Sequence, residues 1–410
     1  MQQEQIETRK IKGREIAKTS RISKVGNGWH VPSQSGAGFY IVQSNGFGAS
    51  CNCPDHELRK CKCKHIWAVE LIVTHEIDQD GNVTITKTIR KTYSQNWKTY
   101  NLAQEKEKEL FMKLLADITS RIRQPAYTFG KPQNPLSDTI YSMVFKVYST
   151  FSGRRFATDM KEAKEKGFVE KKIPRSSMFD YFNKKELTPL LCDMVTITSL
   201  PLRSVEKDFA IDATGFGTSV FQRWYSFKHG KEISSRRWVK CHFVTGVKTN
   251  IIPSVKITTE FDNDSPELKK LIDTTAEHFE MEEVSADKAY LSQQNLELVE
   301  EKGALPFIPF KTNSQANKNG MIWKKMFYLF QLHNEEFLEH YHKRSNAETS
   351  VMMVKSKFGG SVRSKTWTAQ INEVLCKIIC HNLYCVIMEM HELGIKPDFD
   401  RKVLEVSDKS

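Results

Sequence analysis

Four residues fix the geometry of one segment of this chain. Tyr341, Arg344, Glu348 and Lys355 follow the pattern Y-x2-R-x3-E-x6-K, beginning in the stretch His340-Tyr-His-Lys-Arg-Ser-Asn-Ala-Glu348. Intervals of three, four and seven keep side chains on one face of an α-helix. At about 100° per residue, the four fall within an arc of roughly 60°. That face carries one carboxylate, two cations and a phenol. A metal-dependent phosphoryl-transfer site uses the same mixture, an acid to hold a divalent ion and positive charge to hold phosphate. A solvated charged helix face has the same composition, so the interpretation depends on acids elsewhere in the chain.

Two upstream aspartates supply them. In Phe209-Ala-Ile-Asp-Ala-Thr-Gly-Phe216 an apolar run ends on Asp212 and is followed by Thr-Gly, which reads as a short strand with the acid at its exit. In Val284-Ser-Ala-Asp-Lys-Ala-Tyr-Leu-Ser292 a second short strand ends on Asp287. Ser292 is placed to cap a helix reaching about Lys302, with Gly303 as its stop and Ala304-Leu-Pro-Phe-Ile-Pro-Phe310 as the next strand. Three carboxylates on two strand ends and a helix can converge on a pair of magnesium ions. Three other acids compete. Asp208 shares strand parity with Asp212, and Asp262 and Asp264 follow an apparent strand over 254–261. Asp212 is preferred because it ends its apolar run. Asp287 is preferred because Asn263 and Ser265-Pro266 place the other two in a loop and the start of a helix through Ile272.

With these residues in view, the chain resembles the DDE transposases of bacterial and archaeal insertion sequences, specifically the group marked by a Y-R-E-K signature. The resemblance covers about residues 205–390. It is carried by Ile211-Asp-Ala-Thr-Gly-Phe216, Arg237-Trp-Val-Lys-Cys-His242, Ala286-Asp-Lys-Ala-Tyr290 and the helical signature. It implies an α/β fold, a ribonuclease-H-like mixed sheet flanked by helices, with Asp212, Asp287 and Glu348 as a catalytic triad holding two Mg2+ or Mn2+ ions. It also implies that Tyr341, Arg344 and Lys355 contact DNA. Ala289 departs from the family, which often has glycine there, and the short span from Asp287 to Glu348 leaves little room for a large insertion domain.

A second constellation lies near the N-terminus. Cys51-Asn-Cys53 and Cys63-Lys-His65 form C-x-C-x9-C-x-H, a ligand set that zinc accepts tetrahedrally. Its spacing resembles the SWIM zinc finger, a module associated with nucleic-acid and protein binding. Cys61 and His56 lie in the intervening loop, so the sequence alone leaves the ligand set open. The Gly- and Ser-rich stretch over 26–48 suits a small hairpin leading into the ligands, and residues 66–73 suit a short helix after them.

Charge agrees with a nucleic-acid partner. Lys and Arg total 61 against 49 Asp and Glu, a formal net charge of +12, which attracts phosphates without regard to sequence. The excess gathers at Lys228, Lys231, Arg236, Arg237 and Lys240, and again at Lys343, Arg344, Lys355, Lys357, Arg363 and Lys365. Nine cysteines without a visible secretory signal point to a reducing cytosol. The apolar stretch over 374–390 contains Lys377, His381 and Asn382 and reads as a buried helix, not a membrane span. Cys376 and Cys380, one turn apart there, read as core packing.

The expected organisation is a zinc-finger domain over 1–92, a helical and DNA-binding region over 93–203, a ribonuclease-H-like catalytic domain over 204–395 and a charged, fraying tail over 396–410. Within the helical region a long helix is expected over 93–123, a Pro-containing linker over 124–137, and helices over 139–151, 156–166 and 177–191. Helix-turn-helix character and a plain helical spacer are equally compatible with these segments. The expected activity is metal-dependent cleavage at transposon ends and strand transfer into target DNA. The expected partner is double-stranded DNA, with a homodimer in the synaptic complex, no membrane, and a cytoplasmic, nucleoid-associated location. The alternatives are a ribonuclease-H-like nuclease that cuts without joining, or a non-catalytic DNA-binding derivative of a transposase.

Overall fold

The computed structural model describes the chain apart from residues 1, 26–27, 35–37, 46–47, 78–82, 88–95, 127–132, 219–237, 317–319, 401–402 and 407–410. Lys228, Lys231, Arg236 and Arg237 of the first basic run lie outside the described residues, as does Pro132 of the linker. The chain divides into two compact units, residues 1–94 and 95–410.

The smaller unit contains the four-stranded antiparallel sheet β1 (Ser23–Val25), β2 (Gly28–Pro32), β3 (Phe39–Asn45) and β4 (Gly48–Cys51), in that spatial order. β2 and β3 form the expected hairpin, in the register Trp29 opposite Val42. The helices are α1 (Gln2–Thr19), α2 (Pro54–Arg59) and α3 (Lys64–Ile72), followed by the antiparallel pair β5 (Val73–Ile77) and β6 (Val83–Lys87). α1 packs on α3, and Gly13 allows the approach: a Cβ there would lie 2.6 Å from that of Trp67. The core is small, built around Ile16, Val31, Val42 and Ile66 together with the three cysteines Cys51, Cys53 and Cys63. A core of this size needs help to hold its fold.

The larger unit has one continuous core. Its helices before the sheet are α4 (Trp97–Thr119), α5 (Leu136–Ser149), α6 (Phe156–Glu165), α7 (Arg175–Phe182) and α8 (Leu187–Ser199). The helix expected over 177–191 is therefore two, broken around Asn183, with Pro189 in the first turn of α8, where its missing N–H does no harm. These helices bury their apolar faces in the same core as the sheet.

The sheet follows: β7 (Asp208–Gly217), β8 (Trp238–Gly246), β9 (Ser254–Thr258), β10 (Glu283–Ala286) and β11 (Leu305–Phe307), in the spatial order β11-β10-β7-β8-β9. β7, β8 and β9 pair antiparallel, whereas β10 and β11 join parallel to β7. This mixed five-stranded sheet flanked by helices is the α/β architecture expected from sequence, and its strand order is consistent with a ribonuclease-H-like domain. The remaining helices are α9 (Leu268–Ala276), α10 (Gln293–Glu301), α11 (Met321–Leu332), α12 (Asn334–Tyr341), α13 (Ser345–Phe358) and α14 (Trp367–Glu392). Ser292 caps α10 by accepting from the Asn295 amide, and Gly303 follows it at φ +86°.

Three details differ from expectation. β7 does not end at Asp212; it continues to Gly217, because pairing with β8 runs on to Trp238. Gly215 belongs to that strand for a packing reason: a Cβ there would lie 2.9 Å from the Trp238 indole. The Y-R-E-K face is not on one α-helix either. Tyr341 ends α12, a 3-10 turn covers His342–Arg344, and Glu348 and Lys355 lie on α13. The tail does not fray throughout. Phe399 and Leu404 are buried, and the Leu404 amide donates to the Arg121 carbonyl at 3.1 Å.

α14 is long and apolar enough to span a membrane but is buried in the core, as its internal polar residues suggested. Each of these has a partner. Asn382 donates to the carbonyls of Val195 and Ile252 and accepts from the Ile252 amide. The Lys377 ammonium donates to three carbonyls, those of Phe358, Gly359 and Ser361, at 2.7–2.8 Å. Cys376 and Cys380 are buried and free.

Glu389, near the end of α14, yields a pH prediction. Burial lifts its carboxyl to about 7, and Glu392 and Glu206 add to the shift. An unfolded glutamate titrates near 4.3. The folded state therefore gains from protonation; that contribution is complete below the unfolded value and is lost as pH rises through about 7. Glu389→Gln is expected to stabilise the protein at about pH 8, by up to ~3 kcal/mol, and to leave it unchanged near pH 4. Denaturant titrations at the two pH values measure this, and an equal effect at both would contradict it.

Candidate active site and metal centre

The sheet register brings the first two acids together. β7 and β10 pair in parallel with Ala286 opposite Ile211, so Asp287 follows its ladder one step on, level with Asp212. Adjacent strands are about 4.8 Å apart, and residues level with one another in a parallel pair point to the same face. Asp212 Oδ1 accepts from the Ala213 amide at 2.8 Å, and Asp287 Oδ1 accepts from the Lys288 amide at 2.6 Å.

The third acid arrives on α13, joined to the first by Arg344. One guanidinium nitrogen donates to Asp212 Oδ2 at 3.1 Å and the other to Glu348 Oε1 at 3.0 Å. Burial pushes the Asp212 carboxyl above the ordinary aspartate range; Asp287 and Glu348 push it the same way, and Arg344 opposes them. Asp212 is largely buried whereas Glu348 and Asp287 are exposed, so the group opens to solvent on one side. With Arg344 between them, the three carboxylates do not form a closed ligand cluster. Three acids against one guanidinium nevertheless leave a net negative charge, which a divalent cation with oxygen preference satisfies.

The remaining signature residues lie alongside. The Arg344 guanidinium sits 5.9 Å from the centre of the Tyr341 ring, which itself stacks on Phe337 at 6.4 Å. The Lys355 ammonium lies 5.6 Å from the Phe216 ring on β7 and has no carboxylate partner among the described residues. Burial lowers its pKa.

The competing acids have other partners. Asp208 binds Lys343 at 2.7 Å, and Lys343 also binds Glu283 at 2.7 Å, at the first residues of β7 and β10, four residues before Asp212 and Asp287. Glu283 lies 2.9 Å from His340 Nδ1. This network pins the 3-10 turn, so that Lys343 reaches the start of β7 at Asp208 and Arg344 its middle at Asp212. Asp262 Oδ2 accepts from the amide and hydroxyl of Thr259. Asp264 forms an ion pair with Lys240 at 2.6 Å and lies 3.3 Å from His242 Nδ1.

His242 was part of a motif but carried no assigned role. It is buried on β8, with Nε2 2.8 Å from Thr258 Oγ1 and Nδ1 3.4 Å from the Tyr290 hydroxyl. Burial brings it down to about 4, so it is neutral near pH 7. Tyr290 closes the turn that follows Asp287, and His242 thereby supports Asp287 from behind. A histidine on the buried face of a strand is the sequence signal for this, but its partners on β9 and after β10 are visible only in three dimensions.

In the smaller unit, Cys51, Cys53, Cys63 and His65 are all buried and present ligand atoms within 4.8 Å of one another. The two sulfurs of Cys51 and Cys63 lie 3.8 and 3.9 Å from His65 Nδ1, close to the roughly 3.5–3.8 Å edges of a tetrahedral zinc site. The hydrogen bond between the two sulfurs pulls the Cys63 thiol down and pushes that of Cys51 up. The other candidates are engaged elsewhere. His56 Nδ1 lies 2.7 Å from the Cys61 carbonyl, and the Cys61 thiol lies 3.9 Å from the Asp55 carbonyl. β4 supplies Cys51, the turn into α2 supplies Cys53, and the start of α3 supplies His65.

Residues 203–383 match the family model described as Transposase DDE domain. The match supports a DDE transposase and a transposase-type activity on DNA for this part of the chain, and the five-stranded sheet with its flanking helices lies within it. No solved structure matches the chain.

Proposed function

We propose that the protein is a DNA transposase of the Y-R-E-K group, which cleaves DNA at the ends of an insertion sequence and joins those ends to target DNA. The observation that carries this reading is the approach of Asp212 on β7, Asp287 just after β10 and, through Arg344, Glu348, within a segment matched by a transposase domain. In this reading these three acids hold two divalent ions, Mg2+ or Mn2+. Such ions lower the pKa of a water and stabilise the departing 3′ oxygen.

The chain's own residues supply the rest. Arg344 holds Asp212 and Glu348 in place before DNA arrives and turns its charge to the phosphate beside the scissile bond. Lys355, desolvated over Phe216 and without a carboxylate partner among the described residues, binds a second phosphate. Tyr341 stacks on a base or bonds a phosphate. In the first step water attacks phosphorus and the P–O3′ bond breaks, leaving a 3′-hydroxyl. In the second that hydroxyl attacks a target phosphodiester, forming one P–O bond while another breaks. No covalent protein–DNA intermediate forms.

Cys51, Cys53, Cys63 and His65 hold one structural zinc in a SWIM-type finger that contacts DNA or a partner protein. The enzyme works as a homodimer that pairs two ends, on cytoplasmic DNA. The test is an assay with labelled transposon ends and a target plasmid in Mg2+, scored for joined products. Joined products are expected; cleavage without joining would make the protein a nuclease, and neither would leave a DNA-binding derivative.

Arg344→Met provides an independent check. Removing the guanidinium takes away the positive charge that opposes the raised pKa of Asp212. The acid limb of the pH–rate profile is then expected to move to higher pH, because Asp212 has to be ionised to hold a cation. Stability is expected to change by no more than about 1 kcal/mol, since the Glu348 side of the pair is exposed. An unmoved acid limb would remove Arg344 from this role.

A further inference from the structure

A cavity of about 430 Å³ lies away from the three acids, between α5, α7, the loop after α13 and the start of α14. Its composition is unusual for a gap in a core. Phe179, Phe182 and Phe358 line it together with Lys146, Arg363 and Lys377, and Glu373 is its acid. Lys377 is fully engaged by its three carbonyl bonds. Glu373 is likewise occupied, accepting from the backbone amides of Arg363 and Ser364 at 2.8–3.0 Å. These two residues build the wall and leave little to offer a ligand.

Lys146 is different. Its residue is only 7% exposed, yet no hydrogen-bond acceptor reaches its ammonium among the described residues, and its nearest recorded contact is the Phe156 ring at 6.0 Å. The side chain is buried along its length while its ammonium opens into the cavity, partly desolvated and without a hydrogen bond from the described residues. Burial and the nearby Arg363 bring it down to about 8, against the attraction of Glu373 and Asp159. Asp159 makes no hydrogen bond to it: its Oδ1 pairs with Lys108 at 3.0 Å, and its Oδ2 is buried without a partner. Arg363 is exposed, and its side chain has one long bond to the Phe151 carbonyl, 3.4 Å.

The wall of this cavity is tied to the catalytic sheet. The loop Gly359–Val362 is pinned to the end of β7: the Gly217 amide donates to the Gly360 carbonyl at 3.1 Å, and the Val362 amide donates to the Gly217 carbonyl at 2.9 Å. Gly359 turns this loop at φ +84°. A ligand in the cavity would therefore sit in the same compact unit as Asp212 and Lys355, beside a loop bonded to β7.

We infer that this cavity is a phosphate-binding site for a nucleotide unit, with Lys146 and Arg363 holding the phosphate and Phe179 and Phe358 flanking the sugar or base. A phosphate oxygen gives Lys146 the acceptor it lacks, and the cationic lining, Lys146, Arg363 and Lys377 against Glu373, favours an anion. Aromatic walls beside the cations suit a nucleotide better than a bare inorganic ion. The phosphate can belong to a DNA strand or to a free nucleotide or phosphate. Only the DNA source rests on the transposase reading above.

The test compares the full chain with Lys146→Met, which keeps an unbranched side chain one atom shorter and removes its charge. Binding of inorganic phosphate is measured by titration calorimetry at constant ionic strength, and binding of a DNA duplex by fluorescence anisotropy across salt concentrations. Loss of one charge-assisted contact is expected to weaken binding about tenfold. For DNA it is also expected to lower the salt slope by about one. Weaker binding of both probes, or of DNA alone, assigns the site to a strand phosphate. Weaker binding of phosphate alone assigns it to a free anion or nucleotide. Unchanged binding of both overturns the proposal. Lys146→Met is expected to melt at or above the wild-type temperature, because it removes a partly desolvated charge that has no hydrogen bond among the described residues. If it does not fold, Arg363→Gln at the exposed mouth gives the same comparison. Glu348→Ala is expected to bind both probes like the wild type, so a failure of the catalytic reading and a failure of this one are distinguishable.

Discussion

Replacing Glu348 by alanine is expected to lower metal-dependent strand cleavage by on the order of 10³-fold or more, while DNA binding is retained. The expectation is large because the residue contributes charge to the site and little to the fold. Its side chain is 65% exposed, and its one recorded partner is Arg344 at 3.0 Å. Truncation therefore leaves α13 packed through Ala347, Ser350 and Val354 on its buried face. It leaves Arg344 bonded to Asp212. What is lost is one of three carboxylates facing a common point, and with it affinity for a cation. The measurement is single-turnover cleavage of an end-labelled duplex in Mg2+, beside an equilibrium binding curve for the same duplex. Cleavage at the wild-type rate would remove Glu348 from the metal site. Loss of binding in parallel with cleavage would mean that the residue holds DNA instead.

The second large effect is expected in the N-terminal unit. Cys63→Ser, or a strong chelator acting on the wild type, is expected to release one equivalent of zinc and to unfold residues 1–94, while residues 95–410 remain folded. The difference follows from the two cores. The smaller one counts Cys51, Cys53 and Cys63 among its few buried side chains, and structural zinc binding contributes on the order of 10 kcal/mol or more to folding of such domains. The larger one is continuous and has no such dependence. Elemental analysis of the purified protein gives the zinc content, and limited proteolysis shows which unit has opened. Full zinc content in Cys63→Ser would exclude Cys63 as a ligand. Zinc loss without increased proteolysis of residues 1–94 would show that the metal does not hold the fold.

The two halves of the proposed site differed in how far local sequence revealed them. Asp287 is followed at once by a turn, and the strand before it ends where the apolar run ends. That boundary is local, and it was legible. Asp212 was identified for the same reason, although its strand continues. The extension to Gly217 depends on pairing with β8, which no local pattern encodes. The Y-R-E-K spacing implied one helical face, whereas the four residues are spread over two helices and the turn between them. The 3-10 turn at His342–Arg344 is imposed by Lys343 and His340 reaching Glu283 and Asp208 on the sheet. In the N-terminal unit, Cys61 and His56 could be set aside only once each was seen bonding to the loop backbone.

By itself, the sequence determined which side chains carry charge, sulfur and aromatic surface, and at what helical or strand spacing. That was enough to indicate two metal-ligand sets and a mixed α/β core, because ligand chemistry and hydrophobic periodicity are local properties of a chain. Tertiary structure alone decided that Asp212 and Asp287 stand level on neighbouring strands, that Arg344 joins Asp212 to Glu348, and that Lys146 faces a cavity without an acceptor. Each of these is a contact between residues distant in sequence. Such contacts are set by strand register and by which buried groups find partners, and both are properties of the packed chain.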